Sequence, residues 1–223
     1  MTAATTGAPA SADEVCAAVR QAMEERRPLR IAGCGHWLDA GRPVRALRQL
    51  SVGSLSGIVD YVPGDLTLTA LAGTTLGEIA RATAAESQWL ALDPHGSPLG
   101  SLGATVATAS YGPLAHGLGV PRDIVLGLQV VTGAGAVVRG GGKVVKNVAG
   151  FDLTRLFTGS WGTLGVITEV TVRLRALPEV DESVGLPVHD GAEELQALLA
   201  ALREAPMAPA SLELLDGALA ARL

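Results

Sequence analysis

Apolar residues along this chain recur in two rhythms, one helical and one extended. Val15, Ala18, Val19, Ala22 and Met23 fall at three- and four-residue spacing, which predicts a helix over residues 12–26. Ser11 and Glu14 stand in capping-box spacing at its start, and Pro28 ends it. A short run at 29–32 predicts a strand. Thr67 and Thr69 alternate with Leu66 and Leu68, so 57–61 and 66–72 predict a hairpin around Pro63-Gly64. Thr74 or Thr75 caps a second helix reaching residue 85. A further hairpin is predicted from 124–132 and 136–139 across Gly133-Ala134-Gly135, then a β-branched strand at 166–174.

Between these elements the pattern lapses. Residues 94–113 (PHGSPLGSLGATVATASYGP) are small, Gly-rich and nearly uncharged. They predict a surface that another surface can approach closely, not one that fills a core by volume. Gly33, Cys34, Gly35, His36 and Trp37 follow the 29–32 strand at once, and a turn there leaves successive N–H groups free to face an anion. Past a polar boundary at 178–183 come a predicted strand at 184–188, a helix at 192–203 and a strand at 211–215. The fold class is therefore α+β. Residues 1–11 read as a flexible start, 12–180 as the main domain and 181–223 as the opening of a second αβ unit. That opening predicts either a truncated chain or a partner that covers Leu195, Leu198, Leu199 and Leu202.

Composition narrows the partners. The chain has 223 residues, 48% of them hydrophobic and 17% charged, which is the balance of a folded core and not of a disordered chain. A net charge of -5 argues against nucleic acid and against an anionic membrane surface. No apolar run reaches the roughly 20 residues of a membrane helix, and residues 1–10 lack the marks of a signal peptide, so the cytoplasm is the expected location. Cys16 and Cys34 are too few for a disulfide scaffold, and no Cys/His cluster has metal-ligand spacing, so no metal is expected.

Fifteen arginines and two lysines share the cationic role, and both lysines, Lys143 and Lys146, open the run KVVKNVAGFDLTRLFTGSWGTLGVITEVTVRL. A compact ammonium fits against a ring carbonyl or an ionised ring nitrogen where a planar guanidinium does not, a solvated hairpin being the plainer alternative. Familiar nucleotide signatures fail. Gly33, Gly35 and Leu38 break the dinucleotide fingerprint, and Gly140-Gly141-Gly142-Lys143 lacks both P-loop spacing and a following Ser or Thr. There is no Gly-x-Ser-x-Gly elbow. What remains is a non-Rossmann binder of a phosphate-rich ligand that uses several glycine turns.

Four blocks in order carry a family resemblance. They are Gly33-Cys34-Gly35-His36, then Pro98-Leu99-Gly100-Ser101-Leu102-Gly103-Ala104-Thr105, then Arg122-Asp123-Ile124-Val125-Leu126-Gly127, and last Lys146-Asn147-Val148-Ala149-Gly150-Phe151-Asp152 through Gly162-Thr163-Leu164-Gly165-Val166-Ile167. Together they resemble the FAD-binding domain of the vanillyl-alcohol oxidase (PCMH-type) family over residues 12–180. The Lys-Asn-Val-Ala-Gly-Phe-Asp run is most similar to the FAD-binding subunits of bacterial glycolate oxidases.

The resemblance implies two α+β subdomains with FAD between them, followed by a ferredoxin-like cap. It implies that Gly33, Cys34, Gly35, His36 and Trp37 wrap the pyrophosphate. It gives Pro98, Gly100, Ser101, Leu102, Gly103, Ala104, Thr105 and Thr108 to the diphosphate and ribityl chain, and Gly165, Val166 and Ile167 to the adenine side. Arg122, Asp123, Lys146, Gly150 and Phe151 complete the candidate set, with Lys146 near the flavin ring and Arg122-Asp123 equally readable as a structural ion pair. Family members with a histidine at the position of His36 join it covalently to the flavin, whereas glycolate oxidase relatives more often carry a small hydroxyl residue there. A ring packed beside Trp37 is the other reading of His36. His95 and His116 are loop residues and His189 a surface one; Asp152 caps a helix at 153–157, and Trp161 either packs under its turn or lies near the adenine.

Three functions are compatible with this set. An FAD enzyme oxidising a 2-hydroxy acid such as glycolate or lactate needs a base and a cationic carboxylate clamp. Neither is recognisable over 1–180, so no catalytic residue is assigned. An FAD-holding electron-transfer subunit would work with a catalytic flavin subunit and an iron–sulfur subunit, reaching a membrane only through them. A sugar or lactone oxidase with covalent flavin rests on His36 alone.

Overall fold

The computed structural model describes residues 4–40, 48–142, 152–189, 191–206 and 208–220. Strand β1 (Ala4–Gly7) precedes helix α1 (Ala12–Glu24), β2 (Leu29–Ala32) and β3 (Arg48–Ser51). A hairpin of β4 (Ile58–Val62) and β5 (Thr67–Leu71) turns through a single 3-10 turn at Pro63–Asp65. Then come α2 (Leu76–Ala84), β6 (Gln88–Trp89), α3 (Leu102–Thr108), α4 (Ala115–Leu118) and α5 (Pro121–Ile124). The hairpin of β7 (Val125–Thr132) and β8 (Val137–Gly141) leads to α6 (Leu153–Phe157), β9 (Gly165–Arg173), β10 (Arg175–Ala176) and α7 (Ala192–Glu204).

Two larger sheets divide the work. A three-stranded parallel sheet runs in the order β1-β3-β2, and an antiparallel five-stranded sheet in the order β4-β5-β9-β7-β8. Strand β1 lies within residues 1–11, which the sequence reads as flexible. In the larger sheet β5 and β9 pair Leu68 with Val172 and Ala70 with Val170 on one face, and Thr69 with Thr171 on the other. The apolar face collects the main core, with Leu68, Ala70, Val170 and Val172 packed against Ile79, Leu102 and Val106. The threonine face is buried as well, and the Thr69 and Thr171 hydroxyls pair at 2.9 Å.

The smaller core lies where α1 meets both sheets. Val15, Cys16 and Val19 pack on Leu50 and Val52 and on Val131 and Val166 from the larger sheet. Ser11 caps α1 by accepting the Glu14 amide, while Glu14 returns a carboxylate to the Ala10 amide. Helix α2 has a complete capping box: the Thr75 hydroxyl accepts from the Glu78 amide at 3.2 Å, and the Glu78 carboxylate accepts from the Thr75 amide at 2.8 Å. The Thr75 bonds hold the Glu78 carboxyl below its usual range.

Three expectations are corrected. The small-residue stretch 94–113 does contribute to the core: it forms α3, and Leu102 and Val106 are both 0% exposed. Seven residues suffice because Leu102 and Val106 supply volume on the buried side, with Gly103 close against Ala72, and Ala104, Ala107 and Thr108 form the half-buried side. The strands predicted at 184–188 and 211–215 are absent among the described residues, since a strand needs a partner edge to bond and none reaches them. Arg122 and Asp123 do not pair; Asp123 accepts from the Val120 amide at 3.0 Å, and Arg122 donates to the Thr158 carbonyl at 3.4 Å.

Candidate cofactor site

A cleft opens where β2 ends. The turn from Gly33 to Leu38 forms one wall, α3 a second with Gly103, Ala104, Ala107 and Thr108, and Trp161, Gly162, Gly165 and Ile167 a third. Ala104, Ala107 and Thr108 stand at i, i+3 and i+4 on the half-buried face of α3, while Gly103 is buried close against Ala72. The enclosed part measures about 150 Å³, room for a phosphate and one ring rather than for a whole dinucleotide.

Close approach shapes each wall. A Cβ on Gly33 would collide with the Ser101 hydroxyl and stand 3.3 Å from the Ala104 methyl, so glycine alone lets the turn sit on α3. Gly35 has φ +90, a backbone that L side chains rarely adopt. Among the described residues the amides of Cys34, Gly35 and His36 have no hydrogen-bond partner, and Gly35 and His36 line the cleft. Arg30 lines the same cleft and donates to the Leu38 carbonyl, fixing the far end of the turn. The third wall is bonded to the second: the Gly159 amide donates to Val106 at 3.0 Å and the Trp161 amide to Ala107 at 2.8 Å.

The structure brings Gly33, Gly35, His36, Trp37, Gly103, Ala104, Thr108, Gly165 and Ile167 together in the cleft. Pro98 and Gly100 lie behind it, their carbonyls accepting the Gly77 and Leu76 amides at the start of α2. Leu102 is core, and the Thr105 hydroxyl is turned back onto the Ser101 carbonyl at 3.1 Å. The Ser101 hydroxyl is buried beneath Gly33, and among the described residues it has no hydrogen-bond partner. Its neighbour is the Cys34 thiol, which partial burial pushes above its usual pKa. Val166 lines a separate apolar hollow of about 510 Å³ between α1 and the ends of β7 and β9. Arg122 and Asp123 hold the α5 segment and do not line the cleft. Lys146, Gly150 and Phe151 lie outside the described residues, as does Lys143.

Sequence reasoning missed Arg30, Ala107 and Gly162, and left Trp161 open between packing under its turn and the adenine side. The i+4 spacing from Gly103 points to Ala107, and a period of two along β2 sets Arg30 and Ala32 on one face, so both signals were present. The backbone of Trp161 adopts φ +54, and the folded turn brings its ring 6.0 Å from that of Trp37. Among the described residues no group of three or more His, Cys, Asp or Glu is placed to hold a metal ion, and no helix is long and apolar enough to cross a membrane.

A glycine-built turn with free amides, a small-residue helix face and a bonded third wall suit a phosphate-bearing cofactor with flat rings. Residues 4–141 match the FAD binding domain family, and the chain belongs to it; its cofactor is FAD. It is 38% identical over 206 residues to glycolate oxidase subunit GlcE of Escherichia coli (strain K12), covering 92% of this chain and 58% of that protein. Similarity to glycolate oxidase subunit GlcD of Bacillus subtilis (strain 168) is 33% over 210 residues, 94% of this chain and 44% of the relative. A D-lactate dehydrogenase of Archaeoglobus fulgidus is 33% identical over 168 residues, 74% of this chain and 37% of its own. The chain thus spans about half the length of the curated relatives it matches. Among solved structures, alkyldihydroxyacetonephosphate synthase aligns with a TM-score of 0.64 at 22% identity, over 77% of this chain and 31% of that one, a likeness of fold.

Proposed function

We propose that this chain is the FAD-holding part of an oxidoreductase of glycolate oxidase type, acting in the oxidation of a 2-hydroxy acid such as glycolate or lactate. The names of its relatives support the substrate class, and the make-up of the cleft supports the role. Amides of Cys34, Gly35 and His36 serve as donors to the pyrophosphate, and Gly33 and Gly35 allow that approach. Ala104, Ala107 and Thr108 offer a surface low enough for the rest of the dinucleotide to pass. Lys146 supplies an ammonium near the flavin ring. Bound FAD would supply the acceptor for the two electrons that leave the hydroxy acid as a hydride.

One observation carries the choice between a complete catalyst and a subunit. Among the described residues, the titratable side chains lining the cleft are Arg30, already bonded to a carbonyl, and His36. Oxidation of a hydroxy acid needs a base for the hydroxyl proton and a cation for the carboxylate, both at the reacting carbon. Those groups belong to further protein, and electrons leave through partners, a catalytic flavin subunit and an iron–sulfur subunit. The purified chain, given glycolate or D-lactate and an artificial acceptor, is expected to be yellow and inert; turnover without partners would overturn the subunit reading.

His36 lines the cleft, which keeps a covalent flavin as the second reading. Acid precipitation separates the two. Flavin released wholly into the supernatant is the outcome expected here, and flavin retained on the polypeptide would establish the link.

A further inference from the structure

We propose that Trp37 and Trp161 form an aromatic clamp that takes one planar ring of FAD at the cleft. The proposal rests on FAD occupying this cleft and adds the residues that hold a ring. The chain has three tryptophans, Trp37, Trp89 and Trp161, and two of them line the cleft from separate walls. Their ring centroids are 6.0 Å apart and their planes lie at 86°. His95 adds a third ring, 6.3 Å from Trp37 at 64°. A perpendicular pair leaves a corner in which a flat ring can stack on one indole and meet the edge of the other.

The backbone of Trp161 makes packing alone a poor explanation. Its φ of +54 is one that a bulky residue adopts only where its surroundings impose it, and such outliers gather at ligand sites. Core burial does not impose it, because Trp161 is 49% exposed. Two amide bonds from the turn to α3, at Gly159 and Trp161, do so, and Gly162 beside it has φ +71. The turn is therefore built to hold a large, half-exposed ring against the cleft and Trp37. Stacking on an aromatic face is indifferent to which heteroaromatic ring arrives, so adenine and isoalloxazine share the chemistry that the clamp recognises.

The test is calorimetric titration of the flavin-free chain with FAD, alone and with ADP or FMN as competitor. Trp161→Ala is expected to hold FAD about tenfold less tightly, within the range for removal of a stacking aromatic. Trp161→Phe should restore binding to within about threefold of the native chain. The same loss should appear with one competitor only, ADP where the clamp takes adenine and FMN where it takes isoalloxazine. FAD held equally well by Trp161→Ala and the native chain would overturn the clamp. So would equal weakening of both competitors together with a lower melting temperature of the flavin-free protein, which would mark Trp161 as a prop for its turn. A native chain that held no FAD would instead remove the cofactor reading beneath it.

Discussion

Gly33 and Gly35 do different things within three residues. Gly33 has no room for a side chain because the Ser101 hydroxyl lies beneath it, whereas Gly35 has the room and needs the backbone freedom. Gly33→Ala must lift the turn off α3, and Gly35→Ala must strain or refold it. Each is expected to weaken FAD at least tenfold, measured by titration of the flavin-free chain. Ser101 should behave otherwise. A buried hydroxyl without a partner costs about 1–3 kcal/mol, so Ser101→Ala is expected to melt no lower than the native chain. Its FAD affinity should stay within about twofold, because the hydroxyl is shut off from the cleft by Gly33. A large loss of FAD in Ser101→Ala would show that the hydroxyl reaches the cofactor. Lys146→Met is expected to lower the flavin potential, since removing a nearby cation disfavours added electrons; an unchanged potential would place the lysine elsewhere.

Helices α2 and α3 show how the elements set the turn in place. Leu102 is a core residue, and Leu102→Ala is expected to cost about 2–5 kcal/mol in denaturant unfolding, whatever its effect on FAD. Thr75→Ala, which breaks the α2 capping box, should cost about 0.5–2 kcal/mol. This cost carries a pH signature. Glu78 titrates below its ordinary value of 4.5 in the folded chain, so its contribution is full above that value and is lost as the pH falls through the lowered one. The difference between native and Thr75→Ala should therefore shrink below about pH 4. The hairpins and caps were legible because they depend on neighbours in sequence, as Ser11 with Glu14 and Thr75 with Glu78 show. The core role of α3 was not legible, because its two large side chains matter only through the sheet that they meet. The strands expected at 184–188 and 211–215 failed for the same reason: strand propensity without a partner edge gives extended chain.

For the molecule as a whole, the order of four short blocks carried more than any one of them. It identified the FAD family ahead of the structure, since glycine turns at fixed places are what a cleft between two sheets requires. The third wall was less legible, because the place of Trp161 against Trp37 depends on tertiary packing. Helix α7 has no buried residue among those described. We propose that this cleft, through Gly33 to His36, binds FAD. Calorimetric titration of the flavin-free chain with FAD, run beside Gly33→Ala, tests it most directly. One FAD per native chain and binding at least tenfold weaker in the variant is the predicted result. A native chain that takes up no FAD, or a variant that binds it as well as the native chain, would contradict the account.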